Sequence, residues 1–205
     1  MRVADSNSAD FRVSEVADRL KFVQPTPVVI LAGASTPRAG KTLAGVARAA
    51  HNRGSVMIDS GLGSMVERFA MRRRVQLIGV CPDAKVSFPK MSNNSPNELT
   101  NGHTHFFLLG KEDGSVAYDW GDEARLKYDL ARRVAKGRVS GMGGSIAPPC
   151  KIVTVVVGDN RESAIRDIEA SMNAKIPVIV IRGSPLCDQI CEILDQRGQS
   201  EVPRH

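Results

Sequence analysis

Short apolar runs alternate with longer amphipathic stretches along the chain. Residues 28–32, Val-Val-Ile-Leu-Ala between Pro27 and Gly33, form an unbroken apolar run, the pattern of a strand buried on both faces. Over 41–52, Leu43, Val46, Ala47 and Ala50 recur at helical spacing, and Gly54 supplies the stop. A second strand over 56–58 ends at Asp59, and a second helix over 64–73 has Met65, Phe69 and Arg72 in phase. A third strand over 75–80 is stopped by Pro82. Further on, 105–109 returns to strand and 122–136 to helix, with Leu126, Leu130 and Val134 on its inner face. The last third repeats the unit as strand 152–157, helix 161–173, strand 177–182 and helix 185–197. Ahead of these, 1–25 reads as an N-terminal extension with a strand at Phe11-Arg12-Val13 and a short helix near 16–22.

Strands separated by helices of ten or more residues imply parallel β-α-β units. The expected class is therefore α/β, a Rossmann-like doubly wound, mostly parallel sheet with helices on both faces. One such domain fills 26–198, and 199–205 reads as a flexible tail. Two stretches interrupt the pattern. Residues 83–102 hold Pro89, Pro96 and the run Ser92-Asn93-Asn94-Ser95, and 137–149 hold Gly141, Gly143, Gly144, Pro148 and Pro149. Both read as long surface loops, a class that is usually functional or mobile.

Composition narrows the picture only slightly. Hydrophobic residues at 42% and charged residues at 24% exclude wholesale disorder. The longest apolar runs fall far short of the roughly 20 residues that a membrane span needs. Polar residues 1–10 carry no secretory leader, so a cytoplasmic setting is expected. Cys81, Cys150, Cys187 and Cys191 then read as reduced thiols, mostly small buried hydrophobes. The net charge of +6 suits nucleic acid or any other anionic ligand. Only 4% of residues are aromatic, leaving few platforms for base stacking, and Arg72–Arg74 suits a helix end.

In doubly wound sheets the ligand lies beyond the carboxyl ends of the strands. The residues at those ends are Gly33-Ala34-Ser35-Thr36, Asp59-Ser60-Gly61-Leu62-Gly63-Ser64, Pro82, Gly110, Gly158-Asp159-Asn160 and Gly183-Ser184. Glycine lets backbone approach a ligand closely, and small hydroxyls and helix N-termini suit phosphate; tight turns also need glycine without any ligand. Gly40-Lys41-Thr42 resembles the end of a phosphate-binding P-loop. That motif needs a glycine at position 35, where Ser35 stands. Arg38 and Lys41 still offer charge to a phosphate. His103 and His105, two apart, are spaced for one face of an extended segment. That spacing suits a metal clamp or, more simply, a bonded pair at a strand start. Trp120, the sole tryptophan, sits beside Gly121 where a ring could stack on it, and Asp122 and Glu123 suit a helix N-terminus. No nucleophile elbow or paired catalytic carboxylates stand out.

Taken in order, Asp59-Ser60-Gly61-Leu62-Gly63-Ser64-Met65, Gly79-Val80-Cys81-Pro82, Asn101-Gly102-His103-Thr104-His105-Phe106 and Trp120-Gly121-Asp122-Glu123 resemble the SLOG superfamily. The resemblance is to its LSDAT branch, shared by melastatin-type TRP (TRPM) channels and microbial proteins, and it spans nearly all of 11–195. It implies a Rossmann-like sensor of nucleotide derivatives, ADP-ribose and its relatives being the known type, rather than a catalyst. The chain departs from the branch in three turns. These carry Gly33-Ala34, Ser60-Gly61 and Gly183-Ser184-Pro185-Leu186, the last followed by Asp188. The Pro-Gly-Gly-x-Gly-Thr segment of the cytokinin-activating branch is missing, so nucleotide hydrolysis of that kind is not supported.

The expected function is non-catalytic binding of a nucleotide-derived anion such as ADP-ribose. Gly33, Ala34 and Ser35 would form a first phosphate-facing turn, with Arg38 and Lys41 supplying charge. Ser60, Gly61, Gly63 and Ser64 would form a second, after Asp59. Gly158, Asp159, Asn160, Gly183 and Ser184 would hold the ribose or second phosphate. Pro82, Trp120, His103 and His105 would border the site. The alternatives are a nucleotide-processing enzyme, P-loop-like or SLOG-type, and a single-stranded nucleic-acid binder. The expected partners are a second copy of the chain or an effector protein.

Overall fold

A computed structural model describes residues 2–4, 9–33, 39–63, 65–87, 97–110, 117–137, 148–158 and 161–200. In it the apolar runs become strands and the amphipathic stretches helices, in the order β1 (Arg2–Ala4), α1 (Ala9–Arg19), β2 (Val28–Ala32), α2 (Gly40–Asn52), β3 (Val56–Asp59), α3 (Val66–Arg73) and β4 (Leu77–Pro82). The second half runs β5 (His105–Gly110), α4 (Ala124–Lys136), β6 (Ile152–Val156), α5 (Arg161–Asn173), β7 (Val178–Val180) and α6 (Pro185–Ser200). The strands form one sheet in the order β1-β5-β4-β3-β2-β6-β7, and every adjacent pair is parallel. From β2 the chain winds outward through β3, β4 and β5, then crosses back to β6 and β7 on the other side. The topological switch therefore falls between β2 and β6, with Val28 opposite Ile152 and Ala32 opposite Val156.

Alternation along each strand divides the core between the two sheet faces. On one face Val28, Ile30, Val56, Ile58, Ile78, Val80 and Phe107 pack under α1, α4 and the Ile176 turn. On the other, Leu31, Met57, Leu77, Val155 and Val157 pack under α2 and α3. A smaller cluster on this second face, Cys81, Val86, Leu99 and Leu108, is covered by Leu62, Phe106 and Trp120 rather than by a helix. That uncovered quarter of the sheet is where the turn after β3 and the segment before β5 fold back.

Three sequence expectations need correction. Residues 11–13 are not a strand but lie in α1, because Val13, Val16 and Ala17 are buried at the i, i+3, i+4 spacing of a helix. The alternation Phe11-Arg12-Val13 fits a strand when read alone, and the apolar residues of the next turn decide for a helix. The N-terminal strand is β1 instead, which adds to the sheet edge beside β5. On α3 the buried positions are Val66, Glu67 and Ala70, while Arg72 is exposed. The expected face was therefore out of phase; Met65 and Phe69 are only partly buried. The strand expected at 177–182 is shorter, Val178–Val180. Within 83–102, Asp83–Lys85 form a 3₁₀ turn and Ser87 bridges Glu98. The centre of that stretch and most of 137–149 lie outside the described residues.

All four cysteines are free thiols, as expected, with Cys81 and Cys187 buried. Burial, with Glu123 and Asp59 nearby, pushes the Cys81 thiol up to about 12, so it behaves as a small hydrophobe. Among the described residues, no helix is long and apolar enough to cross a membrane.

Candidate functional site

The carboxyl edge of the sheet has two halves. At the switch point, Gly33 follows β2 with φ +84°, and a Cβ built on it would stand 2.8 Å from the Val157 carbonyl oxygen. The backbones leaving β2 and β6 are thus drawn together more closely than any side chain allows, and only glycine also accepts that φ. Val157 N–H donates to the Ala32 carbonyl, which extends the ladder to the last residue before the turns. Beyond it lies a crevice of ≈ 30 Å³, lined by Ala39 and Thr42 of the α2 start, Val157, Gly158, and Ile181 to Ser184 after β7. The start of α6 meets the same edge. The Ser184 hydroxyl donates to the Gly158 carbonyl at 2.9 Å and accepts from Cys187 N–H at 3.3 Å, while Asp188 accepts from Gly183 N–H at 3.0 Å. Ser184 therefore caps α6 and ties the turns after β6 and β7 together.

The other half, over β3, β4 and β5, is closed. Asp59 shares the strand parity of Met57 and so the face of α2 and α3, and its Oδ1 accepts from Gly61 N–H and from His103 Nε2, each at 2.8 Å. His103 Nδ1 donates to the Thr100 carbonyl at 3.0 Å. A carbonyl and a carboxylate are both acceptors, so both ring nitrogens carry protons and His103 is an imidazolium. Burial alone would lower its pKa. The Asp59 hydrogen bond and charge, the Thr100 carbonyl and Glu67 outweigh that and raise it. The exposures of the two side chains are 0% and 3%, so this is a buried ion pair and not a rim. Its imidazole packs on Phe106 with ring centroids 4.8 Å apart. Gly79 permits the closure, since a Cβ there would lie 2.6 Å from Gly61 Cα and 2.8 Å from the Phe106 ring.

His103 and His105 do not act together. His105 starts β5, is exposed, and shares the strand parity of Phe107, which points to the opposite face. Burial lowers its pKa. The turn at 102–104 breaks the period of two that would put the two histidines on one face. Trp120 packs against the Cys81–Leu108 cluster in the closed half. Its turn is fixed by Asp122, which accepts from Asp119 N–H, and by buried Glu123, which accepts from Gly121 N–H at 2.6 Å. Neither makes the side-chain cap of α4 that the sequence suggested. Burial raises the Glu123 pKa against the pull of Lys127.

Lys127 was not foreseen as a buried group. Its Nζ lies 3.0 and 2.9 Å from the two Asp167 oxygens, joining α4 to α5. Burial disfavours its charge, but Asp167 and Glu123 together hold it protonated. Beside it, the Tyr128 hydroxyl donates to the Asp167 carbonyl, and Thr154 and Ser171 continue the chain of bonds to the Ile176 carbonyl. This network braces the helices beneath the switch point.

Of the expected site residues, Gly33, Gly158, Gly183 and Ser184 meet at the switch point, and Lys41 is exposed on the first turn of α2 beside them. Asp59, Gly61 and His103 are held together in the closed half, with Ser60 and Gly63 more exposed at its surface and Pro82 buried at the β4 end. Ala34, Ser35, Arg38, Ser64, Asp159 and Asn160 lie outside the described residues. Thr42 and Arg182 line the crevice and were missed. Arg182 directly precedes the Gly183-Ser184 turn and pairs with Asp195 at 2.5 Å.

A family model described as "SLOG in TRPM, prokaryote" matches residues 26–202. No curated protein matches the chain. Among solved structures, the chain is similar to the molybdenum cofactor carrier protein MCP from Chlamydomonas reinhardtii, with 17% identity and a TM-score of 0.47, over 83% of this chain and 86% of that one. It is also similar to the molybdenum cofactor binding protein from the phototrophic bacterium Rippkaea orientalis, with 11% identity and a TM-score of 0.37, over 85% and 98%.

Proposed function

Because the chain belongs to the prokaryotic SLOG-in-TRPM family, we propose that it is a non-catalytic sensor that binds a nucleotide-derived anion, of the ADP-ribose type, at the switch point. The observation that carries the reading is the approach of Gly33 to the Val157 carbonyl, which brings two turns and the starts of α2 and α6 to one crevice. Backbone amides at helix N-termini, with Lys41 on the first turn of α2, suit phosphate oxygens, and Arg38 is a further source of charge. In this reading Gly33, Ala34 and Ser35 take one phosphate, and Thr42, Gly158, Asp159 and Asn160 take the ribose or the second. Gly183 and Arg182 border them, and Ser184 holds the turn. Asp59, Gly61 and His103 act as positioning residues, while Ser60 and Gly63 present the surface of the second turn, with Ser64 next in sequence as a further phosphate contact. Pro82 and Trp120 support that half from below, and His105 has no part.

His103 is also a poor general base, since both ring nitrogens already donate and no lone pair is left to accept a proton. Ligand binding would act by shifting the population of a conformation that an oligomer contact or an effector reads.

Thermal shift of the full chain with ADP-ribose, cyclic ADP-ribose, NAD, AMP, ATP and the molybdenum cofactor, for which the two structural neighbours are named, tests the proposal. A rise in Tm with an ADP-ribose-type ligand that is lost in Lys41→Ala is expected. No shift with any nucleotide overturns it, and a shift with the molybdenum cofactor alone replaces the ligand. Release of free base on chromatography, or magnesium-dependent ATP hydrolysis that dies in Lys41→Ala, would make the protein an enzyme.

A further inference from the structure

Between Gly40 and Leu77, every exposed formal charge is positive. Lys41, Arg48 and Arg53 lie on or just beyond α2, and Arg68 and the run Arg72–Arg74 on or just beyond α3. The two carboxylates of the stretch, Asp59 and Glu67, are buried. Seven cations against two carboxylates is five of the six net charges of the whole chain. Among the described residues, none of the six arginines has an ion-pair partner.

These helices pack side by side on one sheet face, so their cations share one side of the molecule. Their last turns and the entries to β3 and β4 enclose a groove of ≈ 280 Å³. Its lining mixes Ala50, Val56 and Val75 with His51, Arg74 and Gln76. On α3, one turn back from Arg74, Met71 is 59% exposed. The groove lies at the amino edge of the sheet, opposite the switch-point crevice. One helix connects the two, because α2 begins at the crevice with Ala39 and Thr42 and ends at the groove with Ala50 and His51. Thirteen residues of helix make a rigid rod about 20 Å long.

We propose that this face docks an acidic segment of a partner protein, one in which carboxylates are interleaved with apolar side chains. Unpaired arginines attract the carboxylates, and the apolar part of the groove, with Met71, takes the side chains between them. The carbonyl ends of α2 and α3 converge here; they favour N–H donors and oppose negative charge, so the attraction for carboxylates comes from the arginines alone. A peptide backbone has such donors, and a phosphodiester backbone has none. Phe69, the phenylalanine of this face, is partly buried against the core and leaves little ring surface for stacking a base. The proposal does not depend on which ligand occupies the crevice.

Fluorescence anisotropy of the full chain with a labelled peptide of repeating Glu-Glu-Leu tests it. Binding at low salt should weaken about tenfold in Arg72→Glu/Arg74→Glu. The charge-matched control Arg125→Glu/Lys136→Glu, on α4 across the sheet, should leave it within about twofold. Arg53→Glu/Met71→Ser supplies a second patch variant should the first fail to fold, with the same loss expected. A Glu-Glu-Ser peptide should bind more weakly than Glu-Glu-Leu. No binding of the Glu-Glu-Leu peptide, or equal losses in patch and control variants, overturns the proposal. Tighter binding of oligo-dT, equally sensitive to the patch, overturns it in favour of nucleic acid. Because the probe is a peptide and no nucleotide is added, failure here leaves the thermal-shift result untouched.

Discussion

Two glycine-rich turns at the same sheet edge are used in opposite ways. After β2, Gly33 lies against the Val157 carbonyl, beside a crevice lined by the turns after β6 and β7 and the α2 start. After β3, Gly61 lies against Gly79 and Phe106, and the Asp59–His103 pair seals it from below. Both glycines admit the protein's own chain, and in the proposed reading only the first turn also borders a ligand. A glycine between a strand and a helix therefore indicates close approach without saying what approaches.

The largest test of this contrast lies in the closed half. His103→Ala leaves Asp59 buried without its cation and should cost about 3–5 kcal/mol in urea unfolding. The same method applied to Gly79→Ala should give about 1–3 kcal/mol, because the new methyl meets Gly61 backbone and the Phe106 ring. Gly33→Ala should cost a similar 1–3 kcal/mol, about as much as Gly79→Ala, from its clash and its positive φ. The two glycine variants separate on ligand binding. Gly33→Ala should lose the nucleotide-induced rise in Tm, while Gly79→Ala should keep it. If both keep it, the crevice is not where the ligand sits.

A smaller effect follows from protonation. The His103 pKa is raised in the folded chain above its ordinary value near 6.5, so folding favours the imidazolium. That stabilisation is fully present below about pH 6.5 and is lost as pH rises through the raised folded value. The gap in urea midpoint between the native chain and His103→Gln should therefore narrow from acidic to alkaline pH; a gap that widens would contradict the ion pair. Smallest of all, Lys41→Ala should change stability by no more than about 0.5 kcal/mol, since the side chain is exposed. Its effect should appear only as weaker nucleotide binding.

Much of the architecture was legible in local pattern. The strands β2, β3 and β6 and the helices α2, α4 and α5 follow runs whose period is unmistakable, and the βαβ alternation then dictates a parallel sheet. The failures were also local. Three residues at 11–13, apolar-charged-apolar, are too few to show their period, and α3 is too short for its phase to be read when arginine ends it. The site was legible only as a set of candidate turns. Position along the chain says that a turn lies at the carboxyl edge, but not which neighbour fills the space above it.

By itself the sequence determined the fold class, the order of the elements and the likeness to the SLOG-in-TRPM family, because hydrophobic period and motif order are properties of neighbouring residues. Tertiary structure alone decided that His103 is the partner of Asp59, 44 positions away, and that Lys127 lies buried against Asp167, 40 positions away. A lysine on an amphipathic helix is ordinarily expected in water. Only the carboxylates that folding brings to it make its burial tolerable. Whether a glycine-rich turn opens or closes, and whether an ionisable side chain is solvated or paired, depends on chain segments far apart in sequence.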